Sequence, residues 1–170
     1  FFICKESKQI PEYNINTENL IKTAKEGSIS MQVNVEWAGN VHFKAGNSSG
    51  HQVPMDGPEA AGGENLGSRP MELILMGLGG CTAYDVVDIL KKSRQPLEDL
   101  KVSLNAKRAE TIPAVFQQIE IHFTVVGEGI DPSKVQRAID LTAEKYCSAS
   151  IMLEKGGVAI SHSFEIVAKL

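Results

Sequence analysis

The chain has 170 residues, a formal net charge of −4 and a pI near 5.6, with 42% hydrophobic and 22% charged residues. These values are typical of a globular domain and exclude the basic surface that nucleic-acid binding usually requires. We find no apolar run that approaches the roughly 20 residues of a membrane span. The opening FFIC is too short for a signal-peptide core. We therefore expect a cytoplasmic protein with neither a nucleic-acid nor a membrane partner.

Residues 1–30 differ from the rest of the chain because they are polar and contain few apolar side chains. We predict that they form an N-terminal extension. Two interpretations stay open: an appendage added during cloning, or an ordinary N-terminal arm. Residues 31–170 are predicted to form a single domain.

Alternating apolar residues predict the first strands. Two such runs, 33–37 and 41–43, are separated by the dipeptide Gly39-Asn40, which is a signal for a β-hairpin. A third strand is expected over 51–55.

A loop rich in glycine and proline, 56–69, leads into a predicted long helix. Pro70 suits the first turn of a helix, and Pro96 prevents its continuation, so the helix should span about 70–93. Its first half is apolar on nearly every side, and such a helix is buried in a core or between subunits. The sheets of one chain are too small to cover it. We therefore expect a homodimer in which each chain wraps the long helix of the other.

The second half of the domain alternates strands and helices. The pair Asp131-Pro132 is typical of a helix start. The predicted elements are strands over 100–109 and 117–126, a helix from this Asp-Pro pair to about Tyr146, a short helix over 148–155 and a strand over 158–168. This order predicts an α+β fold with antiparallel sheets and helices on one face.

The chain contains three cysteines: Cys4, Cys81 and Cys147. This odd, low number is not a disulfide framework, and no CxxC motif is present. No local spacing of Cys, His and Asp supports a metal site. In a reducing cytosol two cysteines can still form a transient, catalytic disulfide. A free cysteine is more often a small buried hydrophobe, and both interpretations stay open.

Three glycines precede the second cysteine in the long helix: Gly77, Gly79 and Gly80. Each costs about 0.5–1 kcal/mol in a helix interior relative to alanine. They favour close packing at a dimer centre, an opening over Cys81, or both. Cys147 follows the later helix, where we expect a loose helix end to leave its thiol more mobile.

The stretch RPMELILMGLGGCTAYDVVDIL, followed by AEKYCSASIML, resembles the OsmC/Ohr family of thiol-dependent hydroperoxide reductases, closest to its YhfA-like branch. The shared pattern is Pro-x-Glu-Leu, a small-residue helix ending in Gly-Cys, and a second cysteine after the later helix. The resemblance covers about 31–170. It implies an OsmC-like α+β fold, in which antiparallel β-sheets wrap around long central helices in an intertwined homodimer with active sites at the subunit interface.

By this resemblance, Cys81 is the peroxidatic thiol and Cys147 the resolving thiol. Cys81 would attack an organic hydroperoxide, or another small apolar substrate, and become a sulfenic acid. Condensation with Cys147 would then give a disulfide. The family implies no bound cofactor and no metal; an external dithiol, lipoyl-linked in characterised members, restores the thiols. The implied role is antioxidant defence in the oxidative stress response.

The sequence departs from the family in the groups that activate the thiol. Characterised reductases use an arginine of the N-terminal hairpin and a glutamate directly after the proline. Here Met71 follows the proline, the glutamate is Glu72, and the hairpin EWAGNVHFK contains no arginine. Glu72, Lys44 and His51 are the candidate activating groups. Asp85, one turn after the first cysteine, would disfavour ionisation of that thiol if it faced the site.

These departures leave two other functions open. The first is a non-enzymatic protein on the same fold that binds a small molecule at the dimer interface. The second is a redox sensor that passes a disulfide state to a partner protein.

Overall fold

The fold is described here from a computed structural model, which covers residues 30–168. The chain forms an α+β fold. Its elements in order are β1 (Val33–Trp37), β2 (Phe43–Asn47), β3 (Gln52–Met55), α1 (Pro70–Lys92), β4 (Asp99–Arg108), β5 (Phe116–Val126), α2 (Pro132–Leu141), α3 (Ser148–Lys155) and β6 (Ala159–Val167). The predicted order of strands and helices is confirmed. Except for residue 30, the predicted N-terminal extension lies outside the described residues.

The first sheet is an antiparallel meander in the order β1-β2-β3. The hairpin closes where Trp37 pairs with Phe43, and Gly39 and Asn40 between them take positive φ values of 106° and 44°. Gly and Asn adopt this left-handed region most readily, which explains why the dipeptide predicted the turn. The apolar residues of β1 are exposed: Val33 63%, Val35 58% and Trp37 71%. No described residue therefore covers this face of the sheet.

The predicted loop over 56–69 is ordered around one buried carboxylate. Asp56 is 2% exposed and accepts backbone N–H groups from Gly57 and Glu64 at 2.8 Å and from Leu66 at 3.0 Å. The N–H of Leu66 makes the largest contribution to lowering the pKa of Asp56, and those of Glu64 and Gly57 add to it, against burial. The carboxylate thus connects both ends of the loop before α1.

We expect this carboxylate to make the fold acid-sensitive. A lowered pKa stabilises the folded chain above the ordinary value of 3.8, and this contribution is lost as the pH falls below it. Asp56→Asn should therefore lower the thermal midpoint at pH 7 and reduce its dependence on pH below 4. Thermal unfolding monitored by circular dichroism between pH 3 and 7 measures both. An acid dependence equal to that of the wild type would contradict this role.

The second sheet has the order β4-β5-β6. Strand β5 pairs antiparallel with β4 and parallel with β6. The prediction of antiparallel sheets is therefore correct for β4–β5 and wrong for β5–β6. The reason is the connection: α2 and α3 lie between β5 and β6, and such a crossover permits parallel pairing, whereas a hairpin does not.

The core lies between the second sheet and the helices. Alternate side chains of β5 are buried, as the alternation of its sequence predicts: Ile119, Ile121, Phe123 and Val125. The helices supply the opposing side: Leu78, Val86 and Leu90 of α1, with Val135, Ala138 and Ile139 of α2. The core thereby fixes α1 and α2 against each other.

Helix α1 is more apolar than its contacts within the chain explain. Its length and its mean hydropathy of 1.6 over an 18-residue window would suffice for a membrane span, a test that the core helix of a soluble protein also passes. Only 22% of that window is buried. Ile74, Met76 and Tyr84 are exposed by 43%, 56% and 74%. One face of α1 packs in the core, and the described residues leave an apolar face open.

Candidate active site: two thiols and a carboxylate

Helix α1 places Cys81 and Asp85 on one face because residues i and i+4 are neighbours on a helix surface. Both are partly buried. Between them, Thr82 is fully buried, and its hydroxyl donates to the carbonyl oxygens of Leu78 and Gly79 at 3.1 Å. Burial of Thr82 turns this part of α1 toward the core, which sets the direction of the neighbouring thiol and carboxyl.

Cys147 reaches the same place from α2. The helix ends in a π-helical turn over Thr142–Tyr146, and Cys147 follows as the N-cap of α3. Its N–H donates to the carbonyl oxygen of Thr142 at 2.9 Å, and its sulfur accepts the N–H of Ser150 at 3.4 Å. Cys147 is 0% exposed. The expected loose helix end is therefore wrong, since this thiol is packed and hydrogen-bonded on both sides of the turn.

The fold brings three chemically active atoms together. The Sγ atoms of Cys81 and Cys147 and a carboxylate oxygen of Asp85 all lie within 4.8 Å of one another. A disulfide bond is about 2.0 Å long, so the sulfurs need to approach by less than about 3 Å to bond. Both cysteines are free thiols here. The two thiols singled out in the sequence therefore form one cluster, and Asp85 faces it.

The two thiols differ in exposure. Burial, and after it the hydrogen bond with Cys81, raise the pKa of Cys147 to about 11, although the N–H of Ser150 acts in the opposite direction. Cys147 is therefore a neutral thiol near pH 7. Cys81 is the more exposed of the pair, and a reagent from solvent reaches it first.

Asp85 is a carboxyl group without a visible counter-charge. Burial, followed by the charge of Asp88, raises the pKa of Asp85. Its Oδ2 is buried and has no hydrogen-bond partner among residues 30–168. Lys92 pairs with Asp88 rather than with Asp85, at 2.6 Å. Helical spacing from Cys81 alone could not assign Asp85 to the site, because its orientation toward the thiols depends on how α1 is rotated in the core.

The three candidate activating groups lie apart from the thiols within one chain. Glu72 lies in the first turn of α1, and its carboxylate accepts the N–H of Arg69 at 2.9 Å, so it caps the helix start. It precedes Cys81 by nine residues, about 13.5 Å along the helix axis. Lys44 and His51 are exposed in the first sheet and its β2–β3 turn. None of the three belongs to the cluster of described residues around the thiols, so their predicted role would require a second chain.

The glycines before Cys81 serve two different faces of α1. Gly79 is buried, and a Cβ there would lie 2.9 Å from Cδ1 of Leu104, so this glycine allows β4 to approach the helix. A Cβ on Gly77 or Gly80 meets nothing within 4 Å. Gly80 lines an open apolar groove of about 660 Å³ between α1 and β4, with Met76 and Val102 among its walls. Close packing within the chain explains only Gly79.

A second cavity, of about 430 Å³, adjoins the cluster. Asp85 lines it, as does Tyr146, the residue before Cys147. Its other walls are Asp88, Ile89, Lys92, Ser93 and Leu141. The mixture of apolar and charged walls offers a small organic molecule a route to the carboxyl beside the thiols.

Comparison with known proteins agrees with this fold. The family model described as OsmC-like protein matches residues 62–163, which is more than half of the chain and includes both clustered cysteines. The chain therefore belongs to the OsmC-like family.

Within this family the chain is similar to Protein YhfA of Escherichia coli (strain K12), with 47% identity over 141 residues that cover 81% of the chain and 99% of the relative. A hypothetical protein from Aquifex aeolicus VF5 is 32% identical, with a TM-score of 0.73 over 84% of this chain and 100% of that one. An organic hydroperoxide resistance protein from Legionella pneumophila is 16% identical, with a TM-score of 0.61 over 81% and 97%, and so shares the fold. The predicted resemblance to the OsmC/Ohr family is confirmed.

Proposed function

We propose that the protein is a cytoplasmic thiol peroxidase that reduces organic hydroperoxides through Cys81 and Cys147. The observation that supports this proposal is the placement of a partly buried and a fully buried thiol within 4.8 Å of each other in an OsmC-like fold. Two free thiols that close together have a ready path to a disulfide. A cysteine with a purely structural role does not need a second free thiol this close to it.

The chemistry proceeds in three balanced steps. The sulfur of Cys81 attacks the terminal oxygen of the hydroperoxide, the O–O bond breaks, and the alcohol leaves with the thiol proton, so that Cys81 becomes a sulfenic acid. The thiol of Cys147 displaces the hydroxyl group as water and forms the disulfide. An external dithiol then reduces that disulfide and is itself oxidised to a disulfide. Burial protects Cys147 from direct oxidation and keeps it as the second reactant.

We further propose that the active form is a homodimer. Two apolar surfaces support it: the exposed face of β1 and the groove between α1 and β4. Exposed apolar area of this extent is typical of an interaction site. In an intertwined dimer, the partner's hairpin can bring Lys44 and His51 of the partner subunit to the thiols, and it supplies walls around an apolar substrate.

The dimer predicts an unusual effect for Gly80→Leu. Leucine is a better helix former than glycine by about 0.5–1 kcal/mol, and Gly80 has open space in the single chain. The variant should fold, yet fill the groove and lose dimerisation. Sedimentation velocity measures this, with Lys91→Leu at the exposed end of α1 as the matched control. A dimer in Gly80→Leu, or a monomeric wild type at micromolar concentrations, would count against the proposed interface.

Steady-state turnover tests the peroxidase directly. The reduced protein should consume cumene hydroperoxide over many cycles with dihydrolipoamide as the reductant. It should reduce hydrogen peroxide more slowly, because hydrogen peroxide has no apolar group to contact the apolar walls of the proposed site. A wild-type rate equal to that of protein with both thiols alkylated would refute the proposal.

One observation favours the second candidate, a non-enzymatic binding protein: burial and Cys81 raise the pKa of Cys147, and no cationic group of the described residues is among the causes of that shift. If that function is correct, a hydrophobic ligand binds to reduced wild type and to Cys81→Ser with equal affinity. Calorimetry with both proteins distinguishes it from a covalent, thiol-dependent reaction.

A further inference from the structure

The cluster joins three acidic groups where no counter-ion is seen. Two thiols and one carboxyl converge within 4.8 Å, and Asp88 lies one turn further along α1. Two ion pairs lie within residues 30–168, Lys92 with Asp88 and His122 with Glu165, and neither includes Asp85. Such a cluster is neutral when all three groups are protonated, and a divalent cation would balance the negative charge of their deprotonated forms.

The donor set favours one class of cation. Thiolate sulfurs select zinc and other soft or borderline metals, and a carboxylate oxygen is a common additional zinc ligand. In a tetrahedral zinc site the Zn–S and Zn–O distances of about 2.3 and 2.0–2.2 Å place the donor atoms roughly 3.5–3.8 Å apart. The present limit of 4.8 Å is longer by about 1 Å, which small side-chain rotations can remove.

Buried polar atoms without a hydrogen-bond partner occur in Asp85 and in two residues that flank Cys147 in the sequence. Asp85 Oδ2 is buried without a hydrogen bond, and so are the hydroxyls of Thr142 and Ser150 on either side of Cys147. Thr142 is 1% and Ser150 0% exposed. Buried polar atoms normally have partners, and Asp85 belongs to the cluster, so its unpartnered oxygen favours a polar occupant there. Asp85 also lines the 430 Å³ cavity, which gives an ion or water a route to the cluster.

We propose that Cys81, Cys147 and Asp85 bind one Zn²⁺ per chain, with the fourth coordination position open toward that cavity. Binding expels one proton from each thiol to solvent, and no group is oxidised or reduced. Local sequence spacing missed this site because one ligand comes from a different helix than the other two. The bound metal occupies both sulfurs, so it and a disulfide between Cys81 and Cys147 exclude each other.

Cobalt substitution tests the site without any activity assay. In the reduced Cys4→Ser background, which removes the remaining cysteine, anaerobic titration with Co²⁺ should produce thiolate-to-cobalt charge-transfer absorption at one ion per chain. Zn²⁺ should displace the cobalt and bleach the absorption. Loss of an outer-shell partner costs about 10–100-fold in metal affinity, so Cys147→Ser and the isosteric Asp85→Asn should each cost at least that much.

The matched control is Glu128→Gln, an isosteric change at an exposed carboxylate outside the cluster, which should bind cobalt as the background does. Circular dichroism confirms that each variant is folded. Absence of charge transfer, or equal affinity in Asp85→Asn and the background, would overturn the site. This result is independent of the peroxidase proposal. Zinc binding without peroxide turnover would contradict only the peroxidase proposal, and peroxide turnover without zinc binding would contradict only the metal site.

Discussion

Cys81→Ser should abolish catalytic reduction of cumene hydroperoxide, lowering the rate by at least about 1000-fold, because the attacking sulfur is lost. Cys147→Ser should behave differently. Its Cys81 is still oxidised, so about one equivalent of peroxide is consumed per chain, but no nearby thiol condenses with the product. A sulfenic-acid trap such as dimedone should therefore label this variant strongly and the wild type weakly.

The matched control is Cys4→Ser, which the sequence predicts to leave the reaction unchanged. Rates from stopped-flow peroxide consumption and the site of label from peptide mass spectrometry separate the two roles. If Cys81→Ser keeps more than a tenth of wild-type turnover, Cys81 is not the nucleophile. If wild type and Cys147→Ser are labelled equally, the buried thiol does not resolve the sulfenic acid.

Leu78→Ala should destabilise the chain by about 2–5 kcal/mol at every protein concentration. Leu78 is 1% exposed in the core, one turn before Cys81, so the substitution leaves a cavity beneath the site. Met76→Ala, only two residues away, removes a similar volume from a side chain that is 56% exposed. Within one chain it should cost less than about 0.5 kcal/mol.

Chemical denaturation at several protein concentrations distinguishes the two faces of α1. Leu78→Ala tests the core, and Met76→Ala tests the groove. Any loss of stability in Met76→Ala should therefore be confined to concentrations at which the wild type is a dimer. Equal, concentration-independent losses for both variants would contradict the division of α1 into a covered and an open face.

Local signals in the sequence predicted the elements well. Pro70 and Pro96 bracket α1, whose predicted end lies one residue from the observed one. Asp131 caps α2 by accepting the N–H of Ser133 at 2.8 Å, as the Asp-Pro pair indicated. The parallel pairing of β6 was missed, because strand direction depends on where the intervening helices cross rather than on side-chain alternation.

The site was predictable only in part. Family resemblance identified the two thiols, but only the packing of α2 against α1 shows that their sulfurs meet. Asp85 was visible at helical spacing from Cys81, yet its orientation depends on the burial of Thr82 beside it. Glu72 illustrates the opposite case, since its helix-capping contact was predictable from position alone and places it away from the thiols in the same chain.

Intact mass and thiol counts of the Cys4→Ser protein before and after one equivalent of cumene hydroperoxide test the central claim most directly. The account predicts that both remaining thiols disappear together within minutes, with a mass loss of two hydrogens, and that tryptic mapping finds Cys81 joined to Cys147. Two thiols that remain free, or a stable oxygen adduct on Cys81 without a disulfide, would contradict it.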